Sequence, residues 1–387
     1  MSEFSDTALL PAGMCDVLPT DAESEAVSTE HLLACFSANG YERVKPPLIE
    51  FEESLLSGSG AAMSAQTFRI MDPVSQRMMG VRADMTLQVA RIATTRLKKA
   101  PRPLRLCYSG QVLRVRGTQM RPERQFGQVG SELIGSSQPQ ADAEIILMAV
   151  EALNKLEITD LSIDLALPTL VPALIEDVNL DEETAASLRT ALDRKDEGAV
   201  KRLAKQLGEQ VTANLLAMLR ATGPAQAAYA ALDKLNLPKK AQLERDSLGA
   251  VIDKIRAGAP ELSLTVDPVE SRGLEYHKGV TFTIFAGGSR GELGRGGRYL
   301  AGGNGDEGEP AVGMTLYMDT ILRAVPSPAT GQRLYIPTET DISESRKYRN
   351  EGWITVDGLT SEADPVKEAA RLSCSHYLSN GKIISTN

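Results

Sequence analysis

The sequence predicts an α+β protein: a strand-rich sheet flanked by helices, a long helical insertion, and a small α/β piece at the C-terminal end. Three observations carry this. Segments with alternating apolar residues recur before residue 170 and again after 260, and few of them show the strand–helix–strand spacing that builds a parallel sheet. Between about 170 and 258 alanine, leucine, lysine and glutamate dominate and aromatics nearly vanish, the composition of several packed helices. "PSPAT" at 326–330 reads as a linker, and the residues beyond it form their own pattern.

In chain order, residues 20–39 are predicted as a helix. Thr20 or Asp21 would cap it, Val27, Leu32, Leu33 and Phe36 would face the core, and Gly40 would end it. "YERVKPPLIEFEE" (41–53) is a strand interrupted by Pro46 and Pro47, which suit a strand end or an edge. Residues 67–84 form a β-hairpin turning at Asp72–Gln76, and 83–97 a helix. Strands at 104–116 and 124–134 are joined by a polar loop, "GTQMRPE". A helix at 141–156 buries Ile145, Met148, Ala149 and Leu153, and 161–167 alternates as a strand. Strands return at 262–267, 280–285 and 292–299. The last stretch reads as strands near 333–336 and 353–357 with helices near 341–350 and 363–373. The expected organisation is a core in two parts (1–169 and 259–325), an insertion (170–258) and a small terminal domain (331–387).

Composition narrows the function. The chain has 387 residues, 42% hydrophobic and 24% charged, as in ordinary globular proteins. No apolar run approaches the roughly 20 residues that cross a bilayer, and no secretory signal is read in "MSEFSDTALLPAG", so a cytoplasmic setting is expected. Cys15, Cys35, Cys107 and Cys374 are scattered, without the spacing of a disulfide framework or zinc site. Cys107, in an apolar strand, reads as core rather than nucleophile. With three histidines, no metal or cofactor is expected, and the net charge of −9 argues against a large nucleic-acid footprint. The Gly-rich "LAGGNGDEGEP" (300–310) lacks the Lys-Ser/Thr of a phosphate loop and reads as a plain connection.

The stretch "SRGLEYHKGVTFTIF" (271–285) places Arg272, Tyr276 and His277 at the mouth of an alternating strand. Such polar groups either hold a small ligand or simply pair and pack there. Gln128 and Glu132, four apart on a strand, share a face; so do Arg114 and Arg116. Asp84 precedes a helix, where aspartate also caps.

Several segments together resemble histidyl-tRNA synthetase, a class II aminoacyl-tRNA synthetase. "LPAGMCDVLP" looks like that family's start, and "GYERVKPPLIEF" like class II motif 1, the dimer-forming helix and strand. "VRADMT" (81–86) is similar to its LRPEGT-type stretch, and residues 110–135 resemble motif 2. "SRGLEYHKGVTF" looks like the histidine-recognition motif RGLDYY, and "GRGGRYL" like the following AGGRYD. The resemblance runs over residues 8–325 with motif order kept, and implies an antiparallel class II sheet flanked by helices.

The departures fall on the nucleotide side. The glutamate of motif 2 FRxE is Arg116, and the motif 3 arginine that grips ATP phosphate is Thr320, which has no charged fork. Tyr317 adds bulk where adenine would lie, and the family's REFHQ histidine is Gly127. Loss of one such charged contact costs about 3 kcal/mol, roughly a hundredfold in rate. The amino-acid side is kept in kind: by resemblance the histidine-binding residues are Asp84, Thr86, Arg114, Gln128, Glu132, Arg272, Tyr276 and His277. About 60 residues follow the core where the family has a full anticodon domain.

A synthetase-like body with a damaged nucleotide site resembles a paralogous family, the regulatory subunits of short-form ATP phosphoribosyltransferase. That implies no catalysis by this chain. It also implies assembly with the short catalytic subunit, self-association through the motif 1-like segment, histidine as ligand in feedback on histidine biosynthesis, and no tRNA. The competing readings are an active histidyl-tRNA synthetase-like aminoacyl ligase and a synthetase-derived module in an unrelated circuit.

Overall fold

The computed structural model describes residues 9–56, 63–118, 121–270, 277–302, 308–326, 332–362 and 364–386. The chain forms two compact units, Met1–Pro326 and Ser327–Asn387.

The first unit opens with α1 (Pro19–Ala38), β1 (Glu42–Arg43), β2 (Ile49–Phe51) and the short α2 (Glu52–Leu55). The hairpin β3 (Phe68–Met71) and β4 (Met78–Val81) leads to α3 (Thr86–Thr95). The hairpin β5 (Leu104–Leu113) and β6 (Gln125–Ile134) is followed by α4 (Pro139–Lys155) and β7 (Leu161–Ala166). The insertion holds α5 (Leu170–Leu174), α6 (Glu182–Asp193), α7 (Glu197–Arg202), α8 (Ala204–Leu207), α9 (Glu209–Arg220), β8 (Gly223–Pro224), α10 (Ala225–Asp233) and α11 (Lys239–Gly258). Then β9 (Ser263–Asp267), β10 (Thr281–Ala286), β11 (Gly294–Ala301) and β12 (Glu309–Tyr317) complete the sheet, and α12 (Met318–Ala324) ends the unit.

Nine strands form one sheet in the order β1-β5-β6-β12-β11-β10-β7-β9-β8. Its pairs are antiparallel except β1–β5 and β7–β9. The strands β2-β4-β3 make a separate small sheet. The two faces of the large sheet separate by the period of 2. On one, Leu106, Tyr108, Phe126, Ile134, Tyr299 and Tyr317 pack with Met85, Val89 and Ala93 around α3. On the other, Cys107, Val129, Leu133, Val312 and Leu316 join Leu32, Leu33 and Phe36 of α1 and Ile145, Met148 and Leu153 of α4. The predicted stripe of α4 is therefore the buried one. Cys107 is fully buried, its thiol pushed up to about 11 by burial, as a core cysteine should be.

Local details differ from the sequence reading. Leu18 is the N-cap of α1 and Pro19 its first residue, so Thr20 and Asp21 lie inside the first turn. A proline there needs no N–H partner, and Asp21 still meets the positive end of the helix dipole. Val27 is 45% exposed, because the buried stripe begins only at Ser28. The insertion is not purely helical: β8 pairs with β9 and extends the sheet. Its Leu188, Leu192, Leu215 and Val251 share one continuous core with Ile163 and Leu165 of β7. Arg114 and Arg116 both lie beyond the end of β5 at Leu113, so strand alternation does not put them on one face.

The second unit holds β13 (Arg333–Ile336), α13 (Ile342–Asn350), β14 (Ile354–Asp357), α14 (Pro365–Arg371), β15 (His376–Ser379) and β16 (Lys382–Ser385). The sheet order is β14-β13-β15-β16, with only the last pair antiparallel. The final hairpin was not in the sequence reading. Its turn is Asn380-Gly381, with φ of 50° and 70°, the two left-handed residues that a tight hairpin requires. Among the described residues no helix is long and apolar enough to cross a membrane.

Candidate functional site

On the α3 face, where β6, β12 and β11 lie side by side, the sheet carries a small cavity of about 30 Å³. Asp84, Thr86, Glu132, His277, Arg295 and Tyr299 are on its walls.

Glu132 is the buried acid at the centre. Its Oε1 accepts from the Tyr108 hydroxyl at 3.2 Å and its Oε2 from the Tyr299 hydroxyl at 2.8 Å. Burial pushes its pKa up to about 8, the Asp84 charge adds to this, and the hydroxyl hydrogen bonds only partly offset it. At pH 7 its burial therefore keeps Glu132 mostly protonated. Space for its carboxyl comes from the facing strand: Gly313 of β12 pairs with Glu132, and a Cβ there would lie 1.7 Å from Oε2.

Asp84 sits on the short link between β4 and α3. The buried Arg82 anchors that link, donating to the Gln111 and Pro46 carbonyls at 2.8 and 3.0 Å. Asp84 Oδ1 accepts from the Thr86 amide at 2.9 Å, but the N-cap of α3 is Met85, one residue on; the same Asp84 side chain is on the cavity wall. Its Oδ2 accepts from Gln128 Nε2 at 3.0 Å. Gln128 Oε1 in turn accepts from the Met85 amide at 3.1 Å. Gln128 is fully buried, both ends of its amide are used by the protein, and it orients Asp84 rather than facing the cavity. Thr86 meets Tyr108 through its hydroxyl at 3.2 Å.

His277 is 6% exposed, and its Nδ1 lies 3.0 Å from the Arg298 carbonyl. A carbonyl only accepts, so Nδ1 carries the proton. Burial depresses the pKa to about 4, and the ring is neutral at pH 7. Arg298 is itself fixed by a buried pair with Asp142 at the start of α4, Nε to Oδ2 at 3.0 Å.

Asp84, Thr86, Glu132 and His277 are thus brought together, with Gln128 one layer behind. Arg114 is not on the cavity wall: its Nε donates to the Ala83 carbonyl at 3.2 Å, and its guanidinium lies 5.0 Å from the centre of the Phe126 ring. A carbonyl and an aromatic face take up the group that the sequence reading offers to a ligand. Arg272 and Tyr276 lie outside the described residues. The sequence reading missed Tyr108, Tyr299, Arg295 and Gly313. The glycines and the tyrosine of "GRGGRYL" were the available signal for part of that wall.

Beside the cavity, the space over Tyr317 and Thr320, residues that the resemblance puts on the nucleotide side, is filled. Arg121, from the loop between β5 and β6, lies with its guanidinium carbon 3.7 Å from the centre of the Tyr317 ring. It pairs with Asp319 at 3.0 Å and donates to the Thr320 hydroxyl at 3.3 Å.

A family model described as histidyl-tRNA synthetase matches residues 13–321. An ATP phosphoribosyltransferase regulatory subunit from Paramagnetospirillum magneticum is 54% identical over 384 residues, covering 99% of each chain. A solved ATP phosphoribosyltransferase regulatory subunit/histidyl-tRNA synthetase from Bacillus halodurans superposes with a TM-score of 0.80 at 23% identity, covering 96% of both chains. A chain of an ATP phosphoribosyl transferase complex from Thermotoga maritima superposes with a TM-score of 0.59 at 16% identity, covering 76% of this chain and 97% of that one. The mostly antiparallel sheet, the ordered motifs and this full-length likeness agree: the chain belongs to the ATP phosphoribosyltransferase regulatory subunits, a family built on the histidyl-tRNA synthetase fold.

Proposed function

We propose that this chain binds free histidine in the Asp84–Glu132 cavity and, assembled with the short catalytic subunit of ATP phosphoribosyltransferase, sets that subunit's activity without catalysis of its own. The observation that carries this is the contrast between a cavity with two carboxyl side chains and Arg295 on its walls and the neighbouring space occupied by Arg121. Asp84 takes the ligand's ammonium group, Arg295 its carboxylate, and Glu132 with its tyrosine partners the imidazole. Neutral His277 packs beside them and adds no charge.

Adenylation is disfavoured because developing phosphate charge needs placed cations, and Thr320 offers a hydroxyl already bonded to Arg121. The terminal unit, residues 327–387, has seven lysines and arginines against eight aspartates and glutamates. That balance provides little counter-charge for RNA. Self-association through the motif 1-like segment at α1 and β2 belongs to the same proposal.

Reconstitution tests it. Added to the short catalytic subunit, the chain should raise turnover, and histidine should lower it with a coupling of about 1–3 kcal/mol. The chain alone should show no histidine-dependent ATP–pyrophosphate exchange; robust exchange would refute the reading. Asp84→Asn should weaken histidine binding about tenfold or more in calorimetry, since a charge-assisted contact is worth about 1.5–3 kcal/mol.

A further inference from the structure

Arg121 stands out in its loop. Gly117, Thr118 and Pro122 are exposed or lie at the surface, yet Arg121 is only 7% exposed. Its planar head lies against Tyr317 and 5.1 Å from the centre of the Phe126 ring, and these two rings meet edge to face at 76°. Each polar atom offered to it is an acceptor. Asp319 Oδ2 is at 3.0 Å, the Thr320 hydroxyl at 3.3 Å, the Glu292 carbonyl at 3.4 Å and the Glu292 carboxylate at 3.6 Å. The slot has one acceptor to spare: Asp319 Oδ1 is buried and receives no hydrogen bond. The loop is also tied down from outside, because Arg323 bridges Glu123 at 3.1 Å and Asp319 at 3.2 Å.

Two aromatic rings and a ring of acceptors suit a flat group with donors along its edge. A guanidinium is such a group; so is an aminoheterocycle stacked on an aromatic ring. Tyr317 joins the two places, since it lines the cavity and carries Arg121 on its ring.

We propose that Arg121 is a specificity-determining residue: it is the built-in occupant of an aromatic, acceptor-lined slot, and it confines the adjoining cavity to a ligand of amino-acid size by excluding a second planar, donor-edged ring. This rests on the amino-acid reading of the cavity. The Arg121→Ala chain, full length, is titrated with histidine and separately with adenosine, beside the unaltered chain. The unaltered chain should take histidine and show no adenosine binding at millimolar concentration. Arg121→Ala should bind adenosine at least tenfold more tightly than that limit, keep histidine affinity within threefold, and release adenosine when methylguanidinium, the missing head group, is added. A folded Arg121→Ala chain that still excludes adenosine overturns the proposal, as does adenosine binding of equal strength by the unaltered chain. Should the alanine variant fail to fold, Arg121→Gln keeps much of the stem packing and is read in the same way. Loss of histidine binding in the unaltered chain would sink the cavity reading instead, and the adenosine comparison would still report on the slot.

Discussion

Gly313→Ala should abolish histidine binding, weakening it about a hundredfold or more, equivalent to about 2.7 kcal/mol. The added methyl would stand 1.7 Å from Glu132 Oε2. To make room the carboxyl must swing away from Tyr108, which holds one oxygen, and Tyr299, which holds the other. It then leaves the position from which it meets the ligand, and forced overpacking of this kind costs about 1–3 kcal/mol of stability. Calorimetry with histidine, paired with a thermal melt, checks both parts. Binding within threefold of the unaltered protein would show that the ligand does not use Glu132.

The second large effect is on pH. Burial pushes Glu132 up to about 8, and free imidazole lies near 6.5. A bound imidazole and Glu132 share one proton between them. Below about pH 6.5 both partners arrive protonated and one proton must leave; above about pH 8 neither has one and a proton must be taken up. Histidine affinity should therefore be flat between these limits and fall toward tenfold per pH unit outside them. Glu132→Gln should remove the alkaline fall and lower the plateau. The same substitution tests stability. The folded pKa lies above the ordinary carboxylate value, so the contribution of Glu132 is full below about pH 4.5 and is lost as pH rises through 8. The slope over that window reaches about 1.4 kcal/mol per pH unit. Urea unfolding at pH 5, 6.5 and 8 should show a smaller downward slope in Glu132→Gln. An unchanged slope would mean that Glu132 is ionised in the folded protein.

How much of this was legible in the sequence depends on the range of the forces involved. Alternation running into β10, with Val280 just before it and Phe282 and Ile284 within it, and the stripe Ile145–Met148–Ala149–Leu153 in α4 are set by a chain segment and one buried face, so they can be read locally. Glu132 could be marked as a site residue on the same ground, by resemblance and by its strand face. Roles that arise across strands could not. Gly313 matters only because the register sets it opposite Glu132. Gln128 resembles a ligand-binding amide until Asp84 and the Met85 amide, more than forty residues away, are seen to use both its ends. Arg121 was hidden in a polar loop, since burial of an arginine depends on partners such as Asp319, nearly two hundred positions on. The last hairpin is legible: Asn380-Gly381 between two short alternations is a local turn signal.

The path from Asp84 through Gln128 to the amide of Met85 has an effect at the first turn of α3. Met85 is the N-cap of that helix, and its N–H has a single side-chain oxygen as partner. When an ammonium group engages Asp84, it immobilises the carboxylate that holds Gln128 and, through Gln128, this N–H. Deuterium should therefore enter the Met85 and Thr86 amides more slowly with histidine present, marking where occupancy of the cavity first becomes a change in the backbone.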